Sequence, residues 1–100
     1  MPSSESQEKI SLIAETIAAV YGCDEKFYKR KGVPEEARVP QWVFFFILNE
    51  HLGMTQKSIC ELMGRAFNHR HASDFKSNAL AHPRARTLLF AVQEKLKGRL

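Results

Sequence analysis

Between residues 65 and 77, Arg65, Arg70 and Lys76 are interleaved with His71, Ser73, Asp74 and Ser77. Cations spaced by short polar side chains suit a nucleic acid. Arg and Lys hold phosphates, Ser donates or accepts at base edges, and a carboxylate such as Asp74 accepts from a cytosine amino group. A second basic cluster, Lys29, Arg30 and Lys31, and the single Arg38 lie upstream. Other chemistries fit less well. His69 and His71 with His51 or His82 resemble a metal set, but free loop histidines beside arginines more often meet solvent or phosphate. Cys60 with a histidine would make a nucleophilic pair, yet it neighbours an apolar helix face and nothing supplies an oxyanion hole. Glu35 and Glu36 sit at a helix start, where the helix dipole alone accounts for them. We therefore expect no catalytic residue, no metal ligand and no cofactor, and the chain reads as a non-enzyme.

Positioning these side chains falls to helices. Residues 1–7 are polar and expected to be disordered. Ile10, Ile13, Ala14, Ile17 and Ala18 then repeat at the three-and-four spacing of a helix stripe that Gly22 stops. Asp24 caps a short second helix reaching Arg30 or Lys31, which Gly32 closes. A third helix starts at Glu35 or Pro40 and ends at Leu52 before Gly53. Its centre, WVFFFIL, is apolar on every side. Periodicity alone also fits a buried strand there, but no other segment offers a partner strand. An all-round apolar helix must be the central spoke, with Pro40 near its first turn or at a kink.

Thr55 N-caps a fourth helix, with Ile59, Leu62, Met63 and Ala66 on one face. Gly64 and Ala66 permit a close crossing, and Asn68 takes a left-handed turn conformation. Ala72, Phe75 and Ala79 align on the inner side of a fifth helix, leaving Ser73, Asp74, Lys76 and Ser77 outward. Pro83 restarts a sixth, striped by Ala85, Leu88, Leu89, Val92 and Leu96. About six helices predict an all-α fold: one domain over residues 8–100, with a helix-turn-helix at about 55–82.

Length and charge agree with this. A chain of 100 residues with 44% hydrophobic and 26% charged residues matches a single globular domain. The net charge of +4 is uneven: residues 57–100 hold nine basic against three acidic residues, and the first 56 hold six against eight. The basic excess falls on the half that contains the helix-turn-helix, which favours a polyanionic partner. Cys23 and Cys60 are 37 positions apart without a CxxC pair, so neither a disulfide scaffold nor a zinc site is indicated. The longest apolar run, 42–48, is far below the ~18–20 residues that span a bilayer. With no charged-then-apolar signal at the start, a cytoplasmic location and no membrane partner are expected.

The stretch ARVPQ before the apolar helix, then LMGRAF, then NHR with Ser73 close behind, resembles the C-terminal DNA-binding domain (domain IV) of the bacterial replication initiator DnaA. The order of elements resembles that domain as well. The resemblance covers roughly residues 8–80, its specific part being 37–75. It implies a Trp-repressor-like helix-turn-helix fold and double-stranded DNA as partner. Arg38 resembles the family's minor-groove arginine, and Arg70 the arginine of its signature loop. Ser73 resembles a hydroxyl residue opening the recognition helix, and Lys29, Arg30 and Lys31 lie where the family has a phosphate-contacting loop. Three features differ. His71 and Ala72 stand where the family has an Asp-His pair, Pro40 replaces a second arginine, and the region from the long helix to the turn is about one helical turn longer. The chain holds no GxxxxGK[ST] loop, so any ATPase used in initiation would come from a partner.

Two functions follow as expectations. The first is double-stranded DNA binding linked to replication initiation or its regulation. In it Arg70 and Lys76 anchor the recognition helix, Arg65 flanks the turn, Ser73, Asp74 and Ser77 read bases, and Arg38 probes the minor groove. The second is a protein-interaction adaptor of a replication, phage or plasmid system that keeps the fold but has lost specific DNA contacts, with a replication protein or ATPase as partner and Phe90 as an exposed apolar contact.

Overall fold

The stripe from Ile10 to Ala18 lies in α1, Ser4–Tyr21, where Ile10, Ile13, Ala14, Ile17 and Ala18 are all buried. The computed structural model describes residues 4–100, and every regular element among them is helical. After α1 come a 3-10 turn at Phe27–Lys29, then α2, Glu35–His51, α3, Gln56–Leu62, α4, His69–Ala81, and α5, Pro83–Leu96. The chain is thus all-α, with five α-helices and one 3-10 turn among the described residues. α1 begins at Ser4, so residues 4–7 form its first turn. Residues 1–3 lie outside the described residues. Once the buried stripe nucleates the helix, it extends at little cost through good helix formers such as Gln7 and Glu8.

α2 is the spoke of the fold. Val39, Val43, Phe44, Phe45, Ile47 and Leu48 are fully buried, and the helix touches α1, the 3-10 turn, α3, α4 and α5. A helix surrounded on all sides has no face for polar residues, which is why its run of aromatic and β-branched side chains is continuous. Pro40 lies inside α2 beyond its first turn. Gly53 at φ +67° turns the chain out of the helix, and the Met54 amide bonds back to the Leu48 carbonyl over 3.1 Å.

The expected second helix is only the three-residue 3-10 turn. Its carbonyls explain why. Phe27 O and Arg30 O accept hydrogen bonds from the Gln41 side chain of α2, both at 2.9 Å, so the segment is bonded to α2 in place of a helical ladder of its own. Tyr28 stacks on Phe44 with centroids 4.6 Å apart, which holds the segment down. Among the described residues no helix is long and apolar enough to cross a membrane.

Candidate nucleic-acid interface

α3, the connection 63–68 and α4 form the region in which the sequence places its reading helix. Thr55 caps α3, its Oγ1 accepting from the Ser58 amide over 3.1 Å. α3 is shorter than the apolar spacing predicts: it ends at Leu62, and Ala66 lies beyond it, exposed. Gly64 also has a different role from the close crossing expected of it. A Cβ there would meet nothing within 4 Å, but its φ is +72°, a conformation that L residues resist, so the glycine serves the turn that ends α3. The left-handed position is therefore Gly64 and not Asn68. Asn68 is extended at φ −145° and caps α4, its Oδ1 accepting from the Arg70 amide at 2.9 Å and the His71 amide at 3.3 Å. Both roles follow from side-chain chemistry: glycine tolerates positive φ best, and a short amide satisfies the amides left open at a helix start.

α4 divides into two sides. Ala72 and Ala79 are buried, and Phe75 packs edge-on against Phe45 with centroids 5.7 Å apart. Opposite them, Arg70, Ser73, Asp74 and Ser77 are exposed at the spacing of one helix face, and none has a side-chain partner among the described residues. Lys76 does not share this face. It turns toward α2, where its Nζ meets Glu50 Oε1 at 2.5 Å. The lysine's hydrogen bond and charge together hold the Glu50 carboxyl below the usual carboxylate range. Lys76 follows buried Ala72 by four residues and precedes buried Ala79 by three, so it borders the inner side, and a long lysine there reaches the neighbouring helix before open solvent.

Arg65 also differs from the free cation expected. Its Nη2 donates to Arg30 O at 3.1 Å and to Gln41 Oε1 at 3.0 Å, and its guanidinium lies over the Phe75 ring, 5.4 Å from the centroid. It faces inward, between the loop 29–31 and α4. The exposed side chains of Lys29, Arg30 and Lys31 thereby come to lie beside the connection that leads into α4. Lys31, Arg65 and His71 rim one groove of about 340 Å³, whose floor includes Phe45, Met63 and Phe75. Arg38 stands one turn before Gln41 on α2, and its Nε donates to Val33 O at 3.1 Å, which sets it next to the same loop. Arg30 makes an exposed, long ion pair with Asp24 at 3.9 Å, a contact that contributes little.

Burial pushes the Cys60 thiol up, away from the thiolate that a nucleophile needs, and Cys23 is raised for the same reason, helped by Asp24. His69 packs edge-on to Phe67 with centroids 4.6 Å apart, and His51 shares a hydrogen bond with Gln93 at 3.2 Å. His82 sits against Trp42 at 5.2 Å. Among the described residues no group of three or more His, Cys, Asp or Glu side chains converges on a point.

Gln41 is the residue that sequence reasoning missed. It is a fully buried polar side chain with three hydrogen bonds, joining the loop to Arg65. The available signal was one amide at the edge of an otherwise apolar run, since a polar group in such a place must find partners. No family model, curated protein or solved structure matches the chain.

Proposed function

We propose that the chain binds double-stranded DNA through a helix-turn-helix formed by α3, the connection 63–68 and α4. The single observation that carries this reading is the outer face of α4. Arg70, Ser73, Asp74 and Ser77 form an exposed stripe without partners among the described residues, beside a loop bearing Lys29, Arg30 and Lys31. In a helix-turn-helix, such a stripe enters the major groove while flanking cations fix the register on phosphates. Short side chains at positions 73, 74 and 77 let the helix backbone come close to base edges. In this reading Arg38, beside the loop, reaches an adjacent minor groove. The resemblance of ARVPQ, LMGRAF and NHR to the DNA-binding domain of DnaA supports the same reading and a Trp-repressor-like arrangement linked to replication.

Arg65 and Lys76 turn inward and do not join this surface, which counts toward the adaptor role and narrows the DNA reading. The cations that remain for phosphates are Arg70, those of the loop 29–31 and Arg38. Asp74 within the stripe opposes phosphate, so the face favours base contact at its centre and phosphate contact at its edges. The test is titration of labelled duplex with the wild-type chain and with Arg70→Ala. Weaker binding by the variant supports the reading, and equal binding speaks against it. An adaptor role rests on Phe90, 56% exposed with Arg86 over its ring at 5.6 Å. Partner capture that survives both Arg70→Ala and high salt would favour that role.

A further inference from the structure

We infer that Arg65 is a positioning residue: through Gln41 it tethers the loop 29–31 to the connection preceding α4, so that the loop's cations and the outer face of α4 meet one duplex in a fixed register. This rests on the duplex-binding reading of α4. Arg30 O is the hub. It accepts from Gln41 Nε2 at 2.9 Å and from Arg65 Nη2 at 3.1 Å, so both of its lone pairs are used. Gln41 Oε1 accepts from the same Arg65 nitrogen at 3.0 Å, and Gln41 Nε2 also reaches Phe27 O. The Phe75 ring under the guanidinium adds α4 to the junction. Thus one planar cation joins the loop, α2, the connection and α4.

The arrangement needs arginine chemistry. A guanidinium is flat enough to lie on a ring while its edge donates to two acceptors, whereas an ammonium is a compact point charge that does this poorly. Backbone acceptance at Arg30 also leaves that residue's own side chain, and those of Lys29 and Lys31, exposed. A loop of three adjacent cations repels itself, and a tether at its central carbonyl counters that repulsion. The cations are thereby held ready for phosphates without the ordering cost that a free loop would meet on binding.

Arg65→Met keeps the length and the apolar contact with Phe75 but removes the donors. The test has two arms. In the first, folded wild-type and variant chains, matched by circular dichroism, are exposed to trypsin, and cleavage after Lys29, Arg30 and Lys31 is followed against cleavage after Lys95 and Lys97. We expect roughly tenfold faster loop cleavage in the variant, since loss of a charge-assisted hydrogen bond is worth about that factor or more, with the distal sites unchanged. Equal loop cleavage overturns the tether. In the second arm, duplex affinity is measured for Arg65→Met in the wild-type background and in Lys29→Ala/Arg30→Ala/Lys31→Ala. Weaker binding in the first background with no further loss in the second supports positioning. The same loss in both shows Arg65 touching DNA itself and overturns it. If Arg65→Met fails to fold, Arg65→Lys replaces it in both arms, with faster loop cleavage expected and the same outcomes deciding. If the wild-type chain binds no duplex, the reading of α4 fails by itself, and the trypsin arm still decides the tether.

Discussion

The Tyr21 hydroxyl donates to the Glu36 carbonyl over 2.6 Å, and this is the carbonyl that Pro40 leaves without its helical amide. The end of α1 thus repairs the gap that a proline opens inside α2. It also fixes the helix start from which Arg38 and Gln41 project. Tyr21→Phe should lower stability by about 0.5–1.5 kcal/mol, the usual net value of one hydrogen bond. Introducing Pro40→Ala should shrink that loss, because alanine returns the amide to Glu36 O. Thermal melts of the four chains in this double-mutant cycle check it, and additive effects would disprove the link.

Asn68→Ala should destabilise the chain by about 1 kcal/mol, the typical worth of an N-cap. Asn68→Asp should be close to neutral, because a carboxylate accepts from the same two amides and complements the helix dipole. Urea unfolding midpoints separate the two outcomes.

Much of this architecture is legible in the residues themselves. The continuous run from Trp42 to Leu48 fits only a surrounded helix once no partner strand exists, Thr55 marks the start of α3, and Pro83 falls at the first position of α5. These signals are local. Less legible were features set by partners distant in sequence. Arg65 and Lys76 read as free cations because nothing near them in the chain announces Arg30 O, Gln41 or Glu50. The 3-10 turn read as a helix because its spacing says nothing of carbonyls claimed by α2. Gly64 and Asn68 exchanged roles because both residue types favour turns, and only the backbone angles distinguish them.

The Glu50–Lys76 pair predicts a pH dependence. Glu50's folded carboxyl lies below its ordinary value of 4.5, so the stability it contributes is present above that value and is lost as pH falls through the folded value. Wild type should therefore resist urea better than Glu50→Gln at neutral pH, and the gap should close as pH falls through the folded value, which lies below 4.5. In a Lys76→Met background the gap should be absent throughout. Lys76→Ala should also weaken duplex binding less than Arg70→Ala does, because its ammonium faces α2.

Gly64→Ala should cost about 1–2 kcal/mol through its positive φ, although the added methyl meets no neighbour. Unfolding midpoints check the size of the loss. A neutral result would mean that the turn relaxes freely.

As proposed, the outer face of α4 and the loop 29–31 bind duplex DNA. The most direct measurement is duplex affinity against salt concentration for the wild-type chain and Arg70→Ala. We expect log affinity to fall linearly and steeply with log salt, and the slope to lessen by about one unit in Arg70→Ala. No duplex binding at low salt, or an affinity indifferent to salt, would contradict it.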